Sequence, residues 1–364
     1  MMRVLAALSG GVDSAVAAAR ACDAGHDVTA VHMALTSNPQ TSRCSSRGCC
    51  TLEDAQDARR AAALLGIPFY VWDLAEQFHD TVVADFVAEY RAGRTPNPCI
   101  RCNEFIKFRE LARRGAALGF DAVCTGHYAS IVAGADGPEL HRGACEAKDQ
   151  SYVLAVMGRE ALGRVLFPLG DAVTKDEVRR EAAERGLPMS AKPDSYDICF
   201  IPDGDTAGFL RSRMGTQPGP ILDTEGNEVG THRGAYAYTV GQRRGLGLNR
   251  PAPDGRPRYV VRTDPRANTV IVGAAELLSV NRIDAADAVL LADAAHPGLS
   301  AEREVAIQVS AHGSLTPALV RIRGDEMRVE LMQLRRAVAP GQSLVVYDGT
   351  RVLAQATISS ARRE

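Results

Sequence analysis

Val4-Leu5-Ala6-Ala7-Leu8-Ser9-Gly10-Gly11-Val12-Asp13-Ser14 stands at the head of the chain, and its reading decides the fold class. An apolar run that ends in a glycine pair and turns into a helix predicts a strand–loop–helix unit. Such a loop aims several backbone N–H groups at one point, where amides and helix dipole together favour a phosphate. Ser9 and Ser14 add hydroxyl donors, and Asp13 is placed to hold Mg²⁺ beside the phosphates. No Gly-Lys-Ser/Thr follows, so this is not the common P-loop. The plain alternative is an ordinary Gly-rich turn between strand and helix.

Outward from this loop the first half alternates strand and helix. Residues 3–8 read as a strand, 12–24 as a helix and 28–33 as a second strand. A polar stretch, 36–50, carries Cys44, Cys49 and Cys50, and Thr51 with Asp54 three residues on predicts the cap of a helix ending at Gly66. Residues 68–72 and 121–125 read as further strands, with helices over 74–92 and 104–118. This order predicts an α/β domain, a parallel sheet with helices on both faces. Ligands of such sheets bind at the carboxyl ends of the strands, which sets Ser9–Ser14, Met33 and Gly126-His127 along one crevice. Past about residue 205 helices thin out. A hairpin is expected over 219–233 with its turn at Glu225-Gly226-Asn227, then strands at 259–261 and 269–272. Short β runs at 286–292, 304–311, 317–323, 327–333, 343–347 and 351–359 predict a small β-barrel. The boundaries expected are 1–204 for the nucleotide-binding domain, 205–278 for a small β-rich central domain and 279–364 for the barrel.

The 364 residues are 46% apolar and 24% charged, the balance of a globular chain. The opening Met1–Gly10 is too short an apolar run for a signal peptide or membrane span, so a cytoplasmic protein with no membrane partner is expected. Nothing signals an oligomer, and a monomer is the default. With a net charge of −2, any nucleic acid must be held by local basic patches such as Arg243, Arg244, Arg256, Arg258 and Arg262. All nine cysteines fall at or before Cys199, which points to thiol chemistry or metal rather than a disulfide scaffold. Cys22 and Cys124 read as small buried hydrophobes.

Gly93-Arg94-Thr95-Pro96-Asn97-Pro98-Cys99-Ile100-Arg101-Cys102 is the second informative stretch. Its two prolines predict an extended segment that stays out of a helix until about Cys102. Cys102 would then sit at a helix start near Arg101 and Lys107, conditions that favour the thiolate. Cys199, in Ile198-Cys199-Phe200, reads by itself as a core or incidental residue.

Taken together, these stretches resemble a known family over nearly the whole length. Ser9–Ser14 resembles the PP-loop of ATP pyrophosphatases. With Gly93–Lys107, Thr125-Gly126-His127-Tyr128, Lys148-Asp149-Gln150-Ser151-Tyr152, Ile198-Cys199-Phe200, Gly241–Gly247 and Pro340-Gly341-Gln342, the chain is similar to the bacterial tRNA-specific 2-thiouridylases. The resemblance implies that Ala7, Leu8, Ser9, Gly10, Gly11, Val12, Asp13, Ser14, Met33 and Gly126 bind ATP with Mg²⁺. The C2 oxygen of the wobble uridine of tRNA would attack the α-phosphate, giving an adenylated base and pyrophosphate. Cys199 would carry a persulfide received from a sulfur-donor protein, and Cys102 would be the second thiol. Asn97, Pro98 and Cys99 would touch the flipped base, and His127, Lys148, Asp149, Gln150 and Gln342 would contact tRNA. For His127 alone, a structural histidine at a strand end is the competing reading.

Two departures from the family bear on chemistry. Members commonly carry Asp where this chain has Cys99, which removes the carboxylate proposed as acid/base. Cys99-Ile100-Arg101-Cys102 with Cys199 makes three thiols, and a [4Fe–4S] cluster with one open iron is the alternative to the persulfide route. Ser310-Ala311-His312 stands where relatives often have an Arg–aromatic pair. Cys49-Cys50 reads as a sulfur relay or as a loop feature. Two other functions fit parts of the sequence: a PP-loop enzyme adenylating a small molecule, and a nucleotide-responsive redox or metal-binding protein without catalysis.

Overall fold

A computed structural model of the chain describes residues 1–36, 52–192, 198–248 and 254–364. Five parallel strands build the first sheet in the order β3-β2-β1-β4-β7: β1 Arg3–Ala7, β2 Asp27–Ala34, β3 Phe69–Asp73, β4 Ala122–Cys124 and β7 Val165–Leu166. Helix α1, Val12–Asp23, follows β1 and buries an alanine-rich face against it: Ala15, Val16, Ala17, Ala18 and Ala19 are almost wholly out of solvent. Small side chains let helix and sheet approach closely, and this core also takes in Cys124. Burial pushes the Cys124 thiol up to about 12, so it packs as an inert small hydrophobe, as its sequence context suggested. The chain runs from β1 outward to β2 and β3, then returns to place β4 on the other side of β1. That reversal opens a crevice at the carboxyl ends of β1 and β4.

The second half is β-rich, as expected, but its edges are shared. Strands β8 Gly219–Leu222, β9 Glu228–His232, β10 Tyr259–Asp264 and β11 Thr269–Gly273 form the central sheet. In the C-terminal barrel, β12 Ser279–Leu290, β15 Glu326–Arg336, β14 Thr316–Arg323, β13 Val305–Gln308, β16 Ser343–Asp348 and β17 Arg351–Arg362 pair in that order, and β12 closes on β17. The sequence reading missed a hairpin, β5 Ala129–Gly134 and β6 Gly137–Arg142, which belongs to the first half yet pairs with β17 through Arg351 and His141. It also missed β7 and the helix Lys175–Glu184.

One expectation is corrected outright. The helix carrying Cys102 spans 98–117 and starts at Pro98, not near Cys102. Asn97 caps it, its side-chain oxygen accepting from Cys99 N–H at 3.0 Å, with Pro98 at the first helical position where a missing N–H costs nothing. The two prolines therefore start the helix instead of delaying it. Cys99 takes the place in the first turn that the sequence reading gave to Cys102.

Candidate active site

The loop after β1 is held by its own hydroxyls. Ser14 Oγ donates to Gly11 O at 3.0 Å and accepts from Ser9 N–H at 3.1 Å, while Ser9 Oγ lies 3.2 Å from Ser14 Oγ. Beneath it, the ring Nδ1 of buried His32 meets Leu8 O at 2.9 Å, and burial lowers that histidine's pKa. Gly126, after β4, lies against the start of α1: a Cβ there would fall 2.6 Å from Asp13 C and Ser14 N. Only glycine lets the two loops of the crevice touch. The loop geometry thus leaves a cradle lined by backbone, at a strand end and a helix N-terminus, that suits the phosphates of a nucleotide.

Two lysines missed by the sequence reading complete the cradle's charge. Lys175 Nζ donates to Asp13 Oδ1 at 2.6 Å and also to Oδ2, and Tyr128 OH donates to the same Oδ1 at 2.7 Å. Lys192 Nζ bridges Gly10 O at 3.2 Å, Asp54 at 2.7 Å and Asp57 at 2.8 Å, tying the loop to the helix Leu52–Leu64. Burial alone would lower the Lys192 pKa, but hydrogen bonds to both carboxylates raise it. A signal for Lys175 exists in the sequence: Thr174 with Glu177 three residues on is a capping box. In the structure Thr174 Oγ1 accepts from Glu177 N–H at 3.2 Å, placing Lys175 at the first helical position. Asp13 offers carboxylate oxygens that already hold a cationic head, a donor type that fits Mg²⁺.

The two thiols of interest pack on one apolar cluster. Cys102, on the second turn of its helix, and Cys199 are both half-buried against one apolar cluster: Leu35, Leu74, Phe78, Val82, Val83 and Ile106. Met33 from β2 packs on the same cluster. Ninety-seven residues of sequence separate the two cysteines, and a single patch of core reunites them. Cys99 is exposed in the first helical turn. Among the described residues no group of three His, Cys, Asp or Glu side chains is set to hold a metal ion. Cys44, Cys49, Cys50 and Thr51 lie outside the described residues.

The residues expected at tRNA are internally engaged. His127 is buried between Thr125 Oγ1 at 2.7 Å and Lys107 Nζ at 3.3 Å, and burial, aided by that lysine, lowers its pKa far below the ordinary value. The Asp149 carboxylate, 4% exposed, accepts from Arg142 Nε, Gly143 N–H, Ser151 N–H and Ser151 Oγ at 2.9–3.1 Å. Gln150 Oε1 accepts from Tyr128 N–H at 3.1 Å. Gln342 Nε2 donates to Thr95 O at 2.7 Å. Lys148 is half-buried, its N–H donating to Cys145 O at 3.0 Å. Arg243, Arg244, Arg256 and Arg262 are exposed on the central domain.

Three family models cover the chain: the tRNA methyl transferase HUP domain over residues 2–203, the tRNA methyl transferase PRC-barrel domain over 207–274 and the aminomethyltransferase beta-barrel domain over 280–358. The tRNA-specific 2-thiouridylase MnmA of Beutenbergia cavernae is 64% identical over 100% of this chain and 96% of its own. That of Acidothermus cellulolyticus is 59% identical over 100% and 99%. The chain belongs to the tRNA-specific 2-thiouridylase family. Among solved structures, NMN synthetase from Francisella tularensis shares 19% identity and a TM-score of 0.35 over 59% of this chain and 73% of that one. The 2-thiouridylase assignment covers all three regions, so the central sheet and the barrel are part of the family's architecture and not appendages of this chain.

Proposed function

We propose that this chain replaces the 2-oxygen of the wobble uridine of tRNA with sulfur, consuming ATP. The observation that carries the reading is the packing of Cys102 and Cys199 on one cluster with Met33, from the strand next to the one that leads into the phosphate loop. A PP-loop enzyme that only adenylated a small molecule would need neither thiol there.

Uridine C2 is a poor electrophile because its oxygen is a poor leaving group. Attack of that oxygen on the α-phosphate of ATP expels pyrophosphate and turns the oxygen into AMP. The amides of Ser9–Ser14 cradle the phosphates, and Lys175 stands ready to neutralise them once the nucleotide competes for its ammonium. Mg²⁺, bound through Asp13, would screen the same charge. The outer sulfur of a Cys199 persulfide then attacks C2 and AMP leaves, giving a C2–S–S–Cys199 bond. The Cys102 thiolate attacks Cys199 Sγ, a Cys102–Cys199 disulfide forms, and the electron pair goes to the sulfur on C2. A thiol reductant restores the pair, and a sulfur-donor protein reloads Cys199. Asn97, Pro98 and the exposed Cys99 face the extruded base, and the central arginines meet tRNA phosphates. A cytoplasmic setting follows from a tRNA substrate; no helix among the described residues is long and apolar enough to cross a membrane.

The test is pyrophosphate release by the full chain with ATP, Mg²⁺, a persulfide donor and unmodified tRNA, with mass analysis of the digested nucleosides. Release that depends on tRNA, together with 2-thiouridine at the wobble position, is expected. Release without tRNA, or none at all, overturns the reading.

A further inference from the structure

Residues 93–97, which lead into Asn97-Pro98-Cys99, are held by two other parts of the molecule. From the barrel comes the turn Pro340-Gly341-Gln342, between β15 and β16. Thr95 N–H donates to Pro340 O at 2.8 Å, and Gln342 Nε2 donates to Thr95 O at 2.7 Å. Both main-chain polar groups of Thr95 thus end on the barrel. The turn is itself fixed to β17, with Gly341 N–H donating to Ile358 O and Ile358 N–H to Gln342 O, each at 2.8 Å. Gly341 has φ +91°, and a Cβ there would fall 2.8 Å from Thr95 N and from Arg94 Cβ. From the central domain, Thr263 Oγ1 donates to Gly93 O at 3.4 Å and Thr239 Oγ1 meets Thr95 Oγ1 at 3.3 Å.

We propose that Gln342 is a positioning residue, which fixes the base-contacting loop through Thr95. The inference rests on the thiouridylase reading above. Hydrogen bonds to the peptide groups on both sides of Thr95 fix that residue's position and tilt, and only Pro96 separates it from the Asn97 cap. The barrel holds the loop in one place, and the loop holds the start of the Cys99–Cys102 helix. Catalysis is sensitive to such placement, an error of about 1 Å being able to cost on the order of a hundredfold in rate. A barrel seated on tRNA would thereby set the geometry at the base.

Gln342→Glu keeps the side-chain length and removes the N–H donor. With the full chain, three quantities are read: the dissociation constant for unmodified tRNA, the single-turnover rate of AMP formation at saturating tRNA, and hydrogen exchange of amides 95–102 without tRNA. The expected result is a rate at saturating tRNA lowered by about tenfold or more, whatever the change in the dissociation constant, and faster exchange at Thr95 and Cys99. Weaker tRNA binding with an unchanged saturated rate would make Gln342 a tRNA contact only and overturn the proposal. So would unchanged exchange. Gly341→Ala, which pushes on Thr95 from the same turn, should reproduce the pattern and serves if Gln342→Glu does not fold. If the parent chain forms no 2-thiouridine, the functional reading fails, while the exchange measurement still decides whether Gln342 positions the loop.

Discussion

At the scale of single residues, chemistry depends on which charges face each other in the crevice. Lys175 is paired with Asp13, and a triphosphate arriving at the loop offers the ammonium a stronger anionic partner. Lys175→Ala should weaken MgATP binding by on the order of tenfold, while Lys175→Arg restores part of it, by titration calorimetry; unchanged affinity in the alanine variant would remove Lys175 from the phosphate site. Cys102→Ala and Cys199→Ala should each abolish 2-thiouridine yet leave tRNA-dependent pyrophosphate release intact, since adenylation precedes both thiols. Loss of release in either variant would put that thiol in the first step. The Gly-rich loop was legible in the sequence because its chemistry is local to a motif, whereas Cys199 was singled out only by the family resemblance. Lys175 and Lys192 were not, because a lysine in a polar stretch looks like any solvated lysine until the fold sets it against a carboxylate.

At the scale of elements, the helix over 98–117 shows how two prolines misled a reading made from local rules. Pro is a breaker inside a helix but a favoured first residue, and Asn97 supplies the cap. Asn97→Ala should destabilise the chain by about 1 kcal/mol in denaturant unfolding, and should raise hydrogen exchange at Cys99. The first-turn amides also bear on the Cys99 thiol, exposed near the positive helix end. Alkylation near neutral pH is expected to modify Cys99 faster than Cys102, read by peptide mass mapping; the reverse order would mean that the helix end does not activate it.

For the whole molecule, the three regions interlock. The β5–β6 hairpin joins β17, Tyr152 OH donates to Ser343 O at 2.7 Å, and Ser151 Oγ lies 3.2 Å from Tyr347 OH. The Lys148–Tyr152 motif is therefore a brace between the nucleotide domain and the barrel, and its Asp149 ties Arg142, Gly143 and Ser151 together. Stability should depend on pH through the buried neutral imidazoles of His32 and His127, both with pKa lowered chiefly by burial. Their contribution is complete above the ordinary histidine pKa of about 6.5 and is lost as pH falls below it, because the unfolded chain takes up the proton first. Melting temperature should fall between roughly pH 7 and 5, and His127→Gln should flatten that fall. A curve with no slope in that window would show that the two imidazoles titrate alike in the folded and unfolded chains and are not held neutral by burial.

The sequence by itself determined the parallel α/β class, the phosphate loop and the β-rich second half. Each is written in contiguous residues, whether as a hydrophobic period, a glycine turn or a motif. Tertiary structure alone decided which residues share a surface: Cys102 with Cys199, Asp13 with Lys175, Thr95 with Gln342, and the hairpin of one domain with the barrel of another. Those pairings join positions up to 247 residues apart. No local propensity encodes them; they follow from burying the apolar faces and satisfying the polar groups of the whole chain at once.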